Sequence, residues 1–275
     1  MLLSEVGYAR PATLEQALGV LADYPGARAL AGGQTLVNVM KARAAAPDVL
    51  VDLARIPGLK EIELGSDGTL ELGAMVTYTE LVASAEARAR PILGEVCAQI
   101  ADVQVRNRGT IGGNVCSSDP TNHLPPLFVA LGADFTVVGP GGDRIVPAQD
   151  FFLGVYMTAA GPGELLTKIT VPPGRSDGFA SVPIGVDGTC IVHAAATVNG
   201  GVRLALPPSQ VTVLDVFSAV EQERPLFQAA ALSRLTGEKV TKVQGIIFKL
   251  LGTAEESMKS SLQAVTIESL LQAIN

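Results

Sequence analysis

The chain has 275 residues, 48% hydrophobic and only 17% charged, which excludes a disordered chain and leaves room for two or three compact units at about 150 residues per domain. Twenty basic against 27 acidic residues give a net charge of −7 with no Lys/Arg block, so nucleic acid is not an expected ligand. The most apolar stretch, Leu124 to Gly139, is broken by prolines, glycines and Asp134, and the start MLLSEVGYARP lacks signal-peptide features; neither a membrane span of about 20 residues nor export is expected, and the cytoplasm is the expected location.

Thr13 reads as an N-cap, and Leu14, Ala17, Leu18 and Leu21 fall at helical spacing, so a helix is predicted from Leu14 to Asp23. Ala27 to Ala31 is a short apolar strand ending on paired glycines. TLVNVMKAR then has helical periodicity, and DVLVDLA, past Pro47, reads as a buried strand. This alternation is that of an α/β unit. From Gly58 the texture changes: KEIELGSDGTLELGA reads as a hairpin across Ser66-Asp67-Gly68. YTELVASAEARARPILGEVCAQIA supplies two helices split near Pro91. After a glycine cluster come LFVAL, FTVVG and RIVPAQDFF, and the strand ELLTKITVP ends at Pro172-Pro173, where a boundary is expected. Phe179 to Leu206 reads as strands joined at Asp187-Gly188 and Asn199-Gly200-Gly201. Past Pro207-Pro208, glutamines collect in helical stretches such as KVQGIIFKLLG and ESLLQAI.

The three cysteines, Cys97, Cys116 and Cys190, are far apart, and the only histidines are His123 and His193. That is too few cysteines for an all-cysteine iron–sulfur cluster and weak support for zinc. Redox chemistry would have to come from an organic cofactor or another subunit. A mean hydropathy of +0.35 with scarce charge implies either a large core or surface covered by partners.

Two glycine segments carry the chemistry. ALAGGQTL, Ala29 to Leu36, sits at a strand-to-helix junction, where backbone N–H groups can converge on an anion; the plain alternative is a tight turn needing positive φ. It is neither GxGxxG nor a Walker loop. QVRNRGTIGGNVCSSDPTNH, Gln104 to His123, crowds hydrogen-bonding side chains onto a glycine-rich backbone and reads as a ligand-lining loop. Arg106 and Arg108 could reach phosphate, be solvated or face an interface, and Cys116 reads as a packing residue rather than a nucleophile.

Taken in order, AGGQTL, MKAR, PDVLVDL, RNRGTIGGN and GELLTKITVP resemble the flavin-binding (medium) subunit of the molybdenum hydroxylases, the family that includes carbon monoxide dehydrogenase and xanthine dehydrogenase. The resemblance implies an α+β fold: a two-lobed FAD-binding domain of the vanillyl-alcohol-oxidase (PCMH) type, with lobes 1–57 and 58–173, followed by a divergent C-terminal α+β domain, 174–275. It also implies that Ala31, Gly32, Gly33, Gln34, Thr35 and Leu36 hold the FAD pyrophosphate, with Arg28 upstream as a charge partner. Thr110, Ile111, Gly112, Gly113 and Asn114 would cover the diphosphate and ribityl chain. Val115, Ser117 and His123 would follow along the cofactor, with Leu166 near the flavin or adenine. Many relatives carry Asp where this chain has His123, so an imidazole replaces that carboxylate or the residue is only part of a loop. Beyond Pro173 the similarity thins: Phe179 fills the place of a usual aromatic residue, whereas the usual basic residues are missing.

The implied function is an oxidoreductase subunit with no catalytic or metal-ligating residues of its own. FAD would pass electrons from two [2Fe–2S] clusters on a small subunit to NAD, a quinone or oxygen, while a large molybdopterin subunit oxidises the substrate. The implied assembly is a dimer of heterotrimers. Two rivals are a self-contained flavin oxidase, which lacks a convincing set of Tyr, His and Arg residues in its last hundred positions, and a non-redox adapter with a vestigial fold, against which the intact AGGQT and TIGGN speak.

Overall fold

A computed structural model describes residues 3–174, 176–184, 189–197 and, near the C-terminus, 256–257, 259–266, 269 and 272. The chain divides into two compact units, Met1–Gly200 and Gly201–Asn275. In the second unit the described residues 256, 257 and 259–263 are helical, as are 269 and 272 within ESLLQAI. The expected features at Asp187-Gly188, at Asn199-Gly200-Gly201, from there to Pro207-Pro208, and in KVQGIIFKLLG lie outside the described residues.

The first unit opens with β1 (Gly7–Ala9), α1 (Leu14–Asp23), β2 (Arg28–Leu30), α2 (Leu36–Lys41) and β3 (Val49–Asp52). The helix α1 starts where its sequence predicts, because the Thr13 hydroxyl accepts the Gln16 N–H. The strands form a parallel sheet in the order β1-β3-β2. Ala17 of α1 and Val51 of β3 are fully buried in a small core with Leu53, Ile56 and Leu59, on which Leu14, Leu18 and Leu21 pack. The carboxyl end of β2 leads directly into AGGQT, the edge of a parallel sheet at which ligands bind.

The larger lobe follows. β4 (Ile62–Leu64) and β5 (Leu70–Gly73) form the expected hairpin, with Gly68 at φ +86° in its turn. Then come α3 (Tyr78–Ala83), a 3-10 turn (Glu86–Ala89), α4 (Pro91–Gln99), α5 (Val103–Arg106), α6 (Ile111–Ser117) and α7 (Leu124–Leu131). The chain continues through β6 (Asp134–Gly139), β7 (Gly142–Pro147), α8 (Ala148–Phe151), β8 (Phe152–Gly154), β9 (Met157–Thr158) and β10 (Leu165–Val171). Five of these strands make an antiparallel sheet in the order β4-β5-β10-β6-β7. Leu72, Leu93, Phe128, Phe135 and Ile169 are fully buried between it and the helices. Phe135 meets Phe151 edge-on, with centroids 4.8 Å apart.

Two sequence readings change here. The second glycine segment is not an open loop, since TIGGN is the start of helix α6, capped by the Thr110 hydroxyl. Second, the first unit runs past Pro173. The hairpin of β11 (Asp177–Ile184) and β12 (Thr189–Thr197) is pinned to it by Arg90, which is 3% exposed, just ahead of α4. The guanidinium donates to both Asp177 oxygens, at 2.6 and 2.8 Å, and to the Pro172 carbonyl. Thr197 Oγ1 donates to the same carboxylate at 2.6 Å, and Phe179 and Ala195 pack on the main core. Among the described residues, no helix is long and apolar enough to cross a membrane.

Candidate functional site

The first glycine segment turns out of β2 with Gly33 at φ +73°, a conformation in which glycine is at ease. Its carbonyls are engaged. Gly32 O accepts Gln34 Nε2 at 3.0 Å and Gln34 O accepts Asn38 Nδ2 at 2.7 Å. Gly33 O and Thr35 O accept the N–H groups of Val37 and Val39. By contrast, the N–H groups of Gly32, Gly33, Gln34, Thr35 and Leu36 donate to nothing among the described residues. A turn with its acceptors engaged and five consecutive donors open can receive an anion.

The second segment is wired the other way. Ile111 N–H donates to Val76 O and Gly112 N–H to Ala74 O, both at 2.9 Å, Gly113 N–H goes to Thr110 Oγ1, and Asn114 N–H to Thr110 O. Its glycines serve close packing. A Cβ on Gly112 would lie 2.5 Å from Ala74 O, and one on Gly109 would lie 2.7 Å from the Tyr78 ring. The two segments also touch. A Cβ on Gly32 would fall 2.1 Å from Arg108 O, and one on Gly113 would lie 3.5 Å from Ala31 Cβ. One polar atom stands out: Asn114 is 7% exposed, its Nδ2 donates to Tyr78 Oη at 2.9 Å, and its Oδ1 is buried with no partner.

The structure thus brings Ala31 and Gly32 against the Arg108–Gly113 stretch, with Gly33 to Leu36 beside them in the same turn. Thr110 is the buried cap. The Ser117 hydroxyl donates to Asn114 O and accepts from Asn122 Nδ2, both at 2.8 Å. The side chains of Ile111, Val115 and Leu166 belong to the apolar core. Arg28 is exposed on β2, its guanidinium bonded to the neighbouring Ala27 carbonyl. Arg106 is occupied by the Ile100 and Ala101 carbonyls, whereas the Arg108 side chain is exposed.

His123 opens α7 and is 6% exposed. Its ring lies 5.6 Å from that of Phe179 and 6.4 Å from that of His193, both on the β11–β12 hairpin. Burial holds both imidazoles below their ordinary range, and the proximity of His123 adds to the effect on His193. Cys190 Sγ sits 3.4 Å from His193 Nδ1, and no group of three metal-ligating side chains occurs among the described residues.

Two residues escaped the sequence reading. Tyr78 lies outside both glycine segments, although TYTE spells the capping box that the structure forms between Thr77 and Glu80 and so marks Tyr78 as the first residue of a helix. Arg90 carries no local signal, because its partner is 87 residues away.

Comparison with known proteins identifies relatives of the chain. The family model described as "FAD binding domain in molybdopterin dehydrogenase" matches residues 4–174. A second, "Iron-dependent Transcriptional regulator", matches residues 190–273. The carbon monoxide dehydrogenase medium chain of Afipia carboxidovorans is 41% identical over 209 residues, covering 73% of this chain and 72% of that one. Its counterpart from Hydrogenophaga pseudoflava is 44% identical over 168 residues, 60% of this chain and 58% of that one. Among solved structures, quinoline 2-oxidoreductase from Pseudomonas putida 86 superposes with a TM-score of 0.69 at 36% identity, covering 71% of this chain and 69% of that one.

Proposed function

Because this chain belongs to the FAD-binding-domain family of the molybdopterin dehydrogenases, matched over residues 4–174, we propose that it acts as the flavin subunit of a molybdenum hydroxylase. In that role it passes electrons from iron–sulfur clusters on a small subunit to an external acceptor, while a large molybdopterin subunit oxidises the substrate. The observation that carries the reading is the row of open N–H donors from Gly32 to Leu36. They fit the diphosphate of FAD, and in a chain of net charge −7 backbone dipoles offset the anion's charge without a dedicated lysine. The unpartnered Asn114 Oδ1, one residue beyond the Gly113 that lies close to Ala31 of that turn, fits a hydroxyl or N–H donor further along the cofactor.

When bound, FAD supplies a redox centre that takes up electrons singly and releases them in pairs. The chain's own residues hold and orient it. In this proposal Gly32 to Leu36 bind the diphosphate, and Arg28 lends charge from β2. Gly112, Gly113 and Thr110 keep the second lobe close, with Ser117 and His123 following along the cofactor. Ile111, Val115 and Leu166, with their side chains in the core, shape the wall rather than offer polar contacts. The lobes proposed at 1–57 and 58–173 are supported by the two separate sheets, and the smaller core also takes in Leu59, Met75 and Leu165 from the second.

A partner-covered surface is supported by the β8–β9 hairpin, where Leu153, Val155, Tyr156 and Met157 are each about 60% exposed. The proposed assembly is a cytoplasmic dimer of heterotrimers, with NAD, a quinone or oxygen as the acceptor. Stoichiometric quenching of flavin fluorescence on titrating the purified chain with FAD is the expected result, and no uptake would overturn the reading. Molybdenum and iron in the co-purified complex would identify the partners.

A second reading attaches to residues 190–273, on the observation that they match the transcriptional-regulator family rather than the C-terminal lobe expected for 174–275. In it, a flavin unit precedes a regulator-derived tail. Acidic and basic residues are equal in number from Cys190 to Asn275, so this segment has no net positive charge to attract DNA. Retention of duplex DNA by the full chain would favour the second reading, and co-purification with molybdenum and iron the first.

A further inference from the structure

We propose that Tyr78 is a positioning residue for FAD: its buried hydroxyl holds the Asn114 side-chain amide so that the free end of that amide is presented to the cofactor. The inference rests on the flavin reading above and adds a residue that belongs to neither glycine segment.

Tyr78 is 5% exposed at the first position of α3. Its backbone is held twice: the Thr77–Glu80 capping box sets the start of the helix, and Tyr78 N–H donates to Gly109 O at 3.2 Å. Its ring lies where any side chain on Gly109 would stand. A rigid ring carries the hydroxyl to Asn114 Nδ2 at 2.9 Å. The rest of Asn114 is equally committed, since its N–H goes to Thr110 O and its carbonyl accepts from Ser117 Oγ and Asn122 Nδ2. Only Oδ1 has no partner. A buried carbonyl oxygen left unpaired is costly, and a ligand donor removes that cost. FAD offers such donors in its ribityl hydroxyls and its ring N–H.

The Tyr78 hydroxyl engages the Nδ2 end of the amide, which leaves Oδ1 as the free end. Burial pushes its ionisation far above the ordinary tyrosine value, so it stays a neutral hydroxyl. While it accepts from Nδ2, Oδ1 must face away from it. Removing the oxygen leaves Asn114 free to turn and present either end, and the preorganised acceptor is lost.

The test measures FAD affinity of the full chain by flavin fluorescence quenching, together with the thermal midpoint without and with saturating FAD, for wild type, Tyr78→Phe, Asn114→Ala and the double variant. Tyr78→Phe keeps the ring. It is expected to weaken FAD binding about tenfold and to reduce the rise in midpoint that FAD confers, with the FAD-free midpoint within a few degrees of wild type. In the Asn114→Ala background, Tyr78→Phe should produce no further loss, because its effect runs through that amide. Wild-type affinity in Tyr78→Phe overturns the proposal. So do losses that simply multiply in the double variant, which would make Tyr78 an independent contact or a purely structural residue. If the wild-type chain itself takes up no FAD, the flavin reading falls and this inference with it. Uptake by wild type with an unaffected Tyr78→Phe overturns only the inference.

Discussion

The two glycine segments of this chain look alike in sequence and are opposite in structure. In AGGQTL the carbonyls of Gly32, Gly33, Gln34 and Thr35 are engaged and the five N–H groups from Gly32 to Leu36 are left open. In TIGGN the N–H groups are consumed by Val76, Ala74 and Thr110, and Gly112 exists because a side chain there would enter the Ala74 backbone. In the proposed role the first segment therefore binds the cofactor, while the second brings helix α6 and its Asn114 close enough to complete the binding. Glycine serves the first by adopting positive φ and the second by having no Cβ. Its presence in a motif does not say which use is meant.

Three perturbations separate these roles, beginning with the largest. Arg90→Ala touches neither segment and leaves Asp177 buried without its partner, which is expected to cost about 3–5 kcal/mol of stability while the molecules that remain folded bind FAD normally. The same pair predicts an acid effect. Hydrogen bonds from Arg90 hold the Asp177 carboxyl below the ordinary carboxylate range, outweighing the opposite push of burial. Its stabilising contribution is present above the unfolded value of about 3.9 and is lost as pH falls through the lower folded value. The depressed imidazoles of buried His123 and half-buried His193 add an earlier loss, as pH falls below about 6.5. Thermal midpoints between pH 7 and 3 should show both steps in wild type and only the histidine step in Arg90→Ala.

Gly112→Val comes next. The new side chain would start 2.5 Å from Ala74 O, so a stability loss of about 1–3 kcal/mol or more is expected with no FAD present, read by chemical denaturation of the apo-chain. A normal apo stability with lost FAD binding would instead make Gly112 a ligand contact and break the contrast between the segments. The smallest effect belongs to Gly33→Ala. At φ +73° a Cβ costs about 1–2 kcal/mol of backbone strain, while its nearest neighbours, Val37 Cγ2 and Leu30 Cδ1, are at 3.3 and 3.4 Å. A turn relaxing that strain misdirects its donors, so FAD affinity should fall several-fold in the same titration, with only a small shift in the apo midpoint.

Local signals read correctly where local physics decides. Thr13 and the spacing of Leu14, Ala17, Leu18 and Leu21 specify α1 because a cap and an apolar stripe lie within one short stretch. The Ser66-Asp67-Gly68 turn specifies its hairpin for the same reason. TIGGN reads as a loop because two glycines lower helix propensity by about 1 kcal/mol each, whereas the compensation that makes it helical comes from Ala74 and Val76, more than thirty residues earlier in the chain. Pro172-Pro173 reads as a boundary, yet Arg90 reaches across it to Asp177.

By itself, then, the sequence determined the alternation of elements, the presence of two glycine segments, their order and spacing, and through these the flavin family, since motif and period are properties of neighbours along the chain. Which segment keeps its donors open, that Tyr78 orients Asn114, that His123 meets Phe179 and His193, and where the first unit ends were decided only in the folded molecule. Each depends on hydrogen bonds or contacts between residues distant in sequence, and such a pairing is a fact about space that no local pattern encodes.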